Sequence, residues 1–221
     1  GSIIGTWFAR AIQMTAMPQA VAIFNGLGGG ASGLIAISEF MRLNNTPSDF
    51  TLTLSITIVL SIFIGIVTFS GSLIAFGKLQ GIVSGKPIQL PLQRWVSLIL
   101  VVVVVFAASF LVLNPNITAF FILIGVCLAL GILLVLPIGG ADMPVVISLL
   151  NSYSGLAAAA AGFVLENTVL IVAGSLVGAA GLILTRIMTK AMNRSLKNVM
   201  FGGVGGTSNA GPTSTGDARE P

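Results

Sequence analysis

Asp142 opens an otherwise apolar stretch, and nine residues later the same stretch carries Asn151. The segment reads as a helix entering a membrane, with Gly139 and Gly140 before the carboxylate and Pro144 in the first turn, where its missing N–H costs little. That spacing sets Asn151 roughly 13.5 Å deeper than Asp142, near the middle of a hydrocarbon layer about 30 Å thick. A carboxylate at the mouth can accept from the unpaired N–H groups of the first turn and complement the helix dipole. A mid-depth amide is costly unless it lines a polar pathway or bonds to a neighbouring helix. Ser148, Ser152 and Gly155 share the Asn151 face by the i, i+3, i+4, i+7 rule, and Ser154 belongs to the same polar block. The chain has no histidine. Proton chemistry would therefore need carboxylates, hydroxyls, amides with water, or a partner chain.

The pattern occurs twice. Met17-Pro18 is followed seven residues on by Asn25, and Met143-Pro144 by Asn151 at the same spacing, so the copies are offset by 126 residues. Each asparagine runs into small residues, Gly26 to Gly33 in one copy and Ser152 to Ala161 in the other. Such internal repeats are a common way to build a membrane pathway. The copies differ at Asp142, whose counterpart is Ala16. Gly28-Gly29-Gly30-Ala31-Ser32-Gly33 fits G-x-G-x-x-G, but Glu39 comes too soon, Asp49 is embedded in a loop and no βαβ unit surrounds the motif, so it does not read as a nucleotide site. Gly28 and Gly29, like Gly155, Gly174, Gly178 and Gly181, are expected to let helices approach closely.

The elements that must position these residues are helices. Of 221 residues, 55% are hydrophobic and 7% charged, with mean hydropathy +1.06; soluble domains carry about 25% charged residues. The expected fold is an all-α polytopic transmembrane bundle. Leu98 to Phe106 is apolar throughout, unlike the alternating strand of a β-barrel. Six full spans are expected at about Met17–Phe40, Leu52–Gly77, Trp95–Leu113, Ile117–Leu136, Met143–Leu165 and Thr168–Lys190. Ile3 to Ile12 is too short to span and reads as the end of a preceding helix, so the chain reads as a fragment starting at Gly1. Residues 1–201 form the membrane domain. Residues 202–221 are Gly-rich and polar and read as a flexible linker toward a soluble domain. Cys127 sits in an apolar run. No catalytic residue, metal ligand or nucleic-acid partner is expected in this chain.

Charge sets the orientation. Arg10, Lys78, Lys86, Arg94, Arg186, Lys190, Arg194 and Lys197 fall on one face, and only Arg42 on the other. By the positive-inside rule that face is cytoplasmic, or matrix-facing in a mitochondrion. Both Met-Pro helices start there, so the repeat is parallel. Glu39 and Glu166 lie toward the other face. On residues alone, the chain could be a conducting membrane domain, a secondary transporter with a small-substrate site between the repeats, or an anchor for a soluble enzyme.

Residues 139–155, Gly-Gly-Ala-Asp-Met-Pro-Val-Val-Ile-Ser-Leu-Leu-Asn-Ser-Tyr-Ser-Gly, with Ala157 to Phe163, closely resemble the membrane domain of the beta subunit of proton-translocating NAD(P) transhydrogenase. So do Phe76-Gly77-Lys78-Leu79 and Lys190-Ala191-Met192-Asn193-Arg194-Ser195. The resemblance implies hydride transfer between NADH and NADP, coupled to proton movement across an inner or plasma membrane. It implies that no cofactor binds this chain: NAD(H) sits on a soluble domain of the alpha subunit, and NADP(H) on a soluble domain following the linker. The alpha subunit's membrane helices, the bilayer and a dimeric assembly are the implied partners. Asn151 matches a family residue of the proton path, and Asn25, Ser148, Ser152 and Ser154 are grouped with it. Asp142 and Arg194 match residues at the junction with the NADP domain. Some members carry histidine where this chain has Asn25. An amide does not titrate near neutrality, so a protonatable group is expected from elsewhere, such as an alpha-subunit helix.

Overall fold

The computed structural model describes residues 2–44 and 50–201, except the side chains of residues 4, 9 and 201. Among the described residues there are eight α-helices and no strand: α1 (Ser2–Ala11), α2 (Met17–Leu43), α3 (Leu52–Leu79), α4 (Gln93–Leu113), α5 (Ile117–Val135), α6 (Met143–Val164), α7 (Thr168–Ala191) and α8 (Leu196–Phe201). Six of them, α2 to α7, are long and apolar enough to cross a membrane. The all-α polytopic expectation holds, with span ends within a few residues of those read from hydropathy. The linker expected over 202–221 lies outside the described residues.

Side chains start several helices. The Thr51 hydroxyl accepts from Leu54 N–H, Asn116 Oδ1 from Thr118 and Ala119 N–H, and Asn167 Oδ1 from Leu170 N–H. The two Met-Pro helices start differently and alike. Each follows one turn of 3-10 helix, over Met14–Ala16 and Gly140–Asp142. Gln13 and Gly139 take the same extended conformation (φ −68°, ψ 148° and φ −71°, ψ 152°). Ala16 and Asp142 match as well (φ −98°, ψ 1° and φ −92°, ψ −4°). The 126-residue offset read from sequence is thus also a repeat of backbone conformation.

α6 is the innermost helix: 72% of its most apolar window is buried, against 50% or less in the other spans. It packs on α7, α3 and α2, while α4 and α5 complete the bundle beside α3. Apolar packing forms two clusters. One joins the end of α2, the first half of α3, α4 and α5, with Phe40 stacked on Phe120 at 4.0 Å between ring centroids. The other joins the starts of α2 and α6 to the ends of α3 and α5, and α8 closes it by burying Val199. The outward faces of α4 and α7 keep residues such as Val102, Phe106, Leu176 and Ile183 exposed, as lipid-facing surfaces require.

Candidate functional site

α6 begins beside the end of α7. There Arg194 Nη1 lies 2.6 and 2.9 Å from the two carboxylate oxygens of Asp142. The backbone aims both partners. α7 ends in a Schellman turn: Asn193 takes a left-handed φ of 51°, its N–H bonds to Lys190 O at 3.1 Å, and Arg194 N–H bonds to Thr189 O at 3.0 Å. Asparagine is, after glycine, the residue best suited to that conformation. Asp142 holds the N-cap position of α6 but makes no side-chain capping bond. Its carboxylate is turned to the guanidinium instead of the orphan N–H groups. The Asp142 side chain is 13% exposed and that of Arg194 52%, so the pair sits at the rim of the bundle.

Deeper in, α2 meets α6 through Asn25. Its Nδ2 donates to Ile147 O at 3.1 Å, and its backbone carbonyl accepts from Ser154 Oγ at 2.8 Å. In the helix ladder Ile147 O is also the acceptor of the Asn151 N–H. Asn25 therefore touches α6 one turn before and about one turn after Asn151, and the two asparagines share a level. Asn25 is buried and bonded. Asn151 is half-buried and makes no side-chain hydrogen bond among the described residues.

Of the expected stripe, Ser148, Ser152 and Gly155 meet α7. Ser148 Oγ donates to Gly181 O at 3.2 Å and Ser152 Oγ to Gly178 O at 2.7 Å, both on α7. Thr185 Oγ1, which sequence reading missed, donates to Gly181 O at 2.8 Å and lies 3.1 Å from Ser148 Oγ. It lies four residues beyond Gly181, so continuing the small-residue stripe by one turn would have found it. Ser154 faces α2, and Asn151 lies between the two interfaces.

Glycine sets the α6–α7 distance. A Cβ at Gly155 would fall 2.7 Å from Gly174 O, and one at Gly181 2.7 Å from Ser152 N. At Gly178 a Cβ would lie 3.3 Å from the Leu156 side chain, and at Gly174 it would run into the Ala159 backbone. Gly29 is as close, 2.9 Å from Gly65 O on α3. Gly28 is not such a site within this chain. It is exposed, and a Cβ there meets nothing within 4 Å among the described residues, because it points away from α3 one position off the Gly26, Gly29, Gly30, Gly33 face.

Two further polar groups join helices. Ser61 Oγ donates to Ser32 O at 3.0 Å and reaches Ala157 O at 3.4 Å, linking α3 to α2 and α6. Lys78, counted among the cations of the positive face, is 4% exposed and donates inward to backbone carbonyls. On the other face Glu39 pairs with Arg42 at 2.6 Å.

A family model described as NAD(P) transhydrogenase beta subunit matches residues 1–220. This chain belongs to that family. It is 45% identical over 210 residues to the NAD(P) transhydrogenase subunit beta of Rhodospirillum rubrum, covering 93% of this chain and 45% of the relative. A subunit of the same name from a designated strain of that species matches equally. The chain thus spans about half the length of the curated relatives it matches. For a transhydrogenase beta subunit, the six apolar helices are the membrane component. The family lends no support to a secondary transporter.

Proposed function

We propose that this chain is the proton-conducting membrane domain of a proton-translocating NAD(P) transhydrogenase, driven by hydride transfer between NADH and NADP on soluble domains. The Asp142–Arg194 pair carries the reading. It joins the start of the helix bearing Asn151 to the segment through which the chain leaves the bundle toward residue 202.

Asn25, Asn151 and Ser154 would line the path. Asn25 is held by α6, whereas the Asn151 amide keeps its donors and acceptor for water or a partner's titrating group. Ser148 and Ser152 border the path while their hydroxyls hold α7. With no histidine in the chain, the group that takes up the proton belongs to an alpha-subunit helix. Asp142 and Arg194 would couple. An NADP domain docking beside residue 202 changes the partners open to the guanidinium, and the change reaches α6 through Asp142. Such a two-state element, biased from both sides, is what coupling requires. NAD(H) and NADP(H) bind the associated soluble domains. The cation-rich face is cytoplasmic, the membrane is the inner or plasma membrane, and the assembled enzyme is a dimer.

The test is reverse transhydrogenation with proton uptake in liposomes holding the complete enzyme. Asp142→Asn and Arg194→Ala should each alter NADPH release or its pH dependence while hydride transfer between isolated soluble domains persists. Normal coupled rates and normal NADPH release in both variants would remove the pair from the coupling route.

A further inference from the structure

Lys78 ends α3 with its ammonium turned into the protein. Nζ donates to Ile138 O at 2.8 Å, to Leu136 O, and to Lys86 O at 3.5 Å. An ammonium has three N–H donors, and three carbonyls take them. Among the described residues no carboxylate contacts it. A buried charge without a counterion is costly. Here it is offset by carbonyl dipoles, including those ending α5, whose C-terminus is the negative end of its macrodipole. Gln93 helps from the side, donating from Nε2 to Leu133 O at 2.7 Å.

The carbonyls it gathers belong to two segments. Leu136 and Ile138 lie between α5 and the turn carrying Asp142. Lys86 lies in the 80–92 loop after α3. The two segments also pair directly, Gly140 N–H to Gly85 O at 2.8 Å and Ile88 N–H to Leu136 O at 3.2 Å. Only three residues separate Ile138 from Asp142. The end of α3, the 80–92 loop and the turn into α6 are thus drawn together around one ammonium.

We propose that Lys78 is a positioning residue for the Asp142–Arg194 pair: it fixes the 136–142 segment against the 80–92 loop and so sets where the Asp142 carboxylate stands. This rests on the coupling role given to that pair above, so the experiment has two arms. In the assembled enzyme, hydrogen–deuterium exchange is followed in peptides covering 80–92 and 136–142. Lys78→Met should speed exchange in both by about tenfold, while Lys86→Met, whose side chain takes no part, should not. Wild-type exchange in Lys78→Met overturns the proposal. If Met prevents assembly, Lys78→Gln keeps two donors and serves in its place. The second arm compares coupled turnover in Lys78→Met, Asp142→Asn and the double variant. Acting through Asp142 predicts a double variant within twofold of Asp142→Asn alone, and multiplying losses overturn the proposal. Full turnover in Asp142→Asn by itself would instead defeat the coupling role of the pair, and the exchange arm would still decide what Lys78 holds.

Discussion

Arg194 Nη1 reaches both carboxylate oxygens of Asp142 across 52 residues of chain. The contact joins the first residues of α6 to the first residues beyond α7. An ion pair this open to solvent contributes only about 0.2–1 kcal/mol to stability. Asp142→Asn should therefore lower the thermal midpoint of the purified protein by a few degrees at most while changing coupled turnover severalfold. A loss of folded protein that matches the loss of rate would make the pair structural.

Asn193 aims Arg194. A left-handed φ costs most residues about 1–2 kcal/mol, and glycine escapes that cost. Asn193→Gly should keep near-normal coupled rates. Asn193→Val should lose stability by at least that amount and mimic Arg194→Ala in NADPH release. Equal behaviour of the two variants in release assays would separate the turn from the coupling.

The two asparagines should respond differently. Asn25→Leu removes an interhelical bond, worth about 0.6–2 kcal/mol in a membrane, and should lower both thermal stability and coupled rate. Asn151→Leu removes no side-chain bond among the described residues. It should slow proton-coupled turnover by an order of magnitude with abundance unchanged. Unaltered turnover in Asn151→Leu would take this residue out of the path.

Ser148→Ala and Ser152→Ala each delete a bond to an α7 carbonyl. A thermal shift equivalent to about 0.6–2 kcal/mol is expected, with coupled rates per folded enzyme within about twofold. A large rate loss at normal stability would put these hydroxyls in the conducting route itself.

Glycine substitutions should sort by helix face. Gly155→Val forces a side chain into the α7 backbone, where overpacking costs about 1–3 kcal/mol or more, and should abolish assembly in detergent. Gly28→Val should be tolerated by this chain in the same assay, since nothing among the described residues lies within 4 Å. If Gly28→Val is normal alone but fails with the alpha subunit, Gly28 packs against that partner.

Much of the fold was legible because a membrane leaves few options. Spans follow from apolar length, and the Met-Pro repeat follows from spacing, which the matched turns before α2 and α6 now bear out. Asp142 and Arg194 were placed on one face by charge, but their contact depends on the Asn193 turn, whose backbone hydrogen bonds no spacing rule shows. A helical wheel put Ser148 and Asn151 on one face. It could not show that α7 covers Ser148, Ser152 and Gly155 while Ser154 turns to α2. Nor could it show that Gly28 lies one position from the face that meets α3. Lys78 was counted with the cations of one face, and charge counting does not show that its ammonium reaches carbonyls.

The α6–α7 hairpin is closed at both ends. Leu165 to Asn167 join the helices covalently on one side, and Asp142–Arg194 clasps them on the other. Between these, the two backbones come within close contact at Gly155, Gly174 and Gly181. The two helices should then tilt together as one lever. Opening the clasp would free only its near end, and what would reach the depth of Asn25 is a rotation of the hairpin about its far turn.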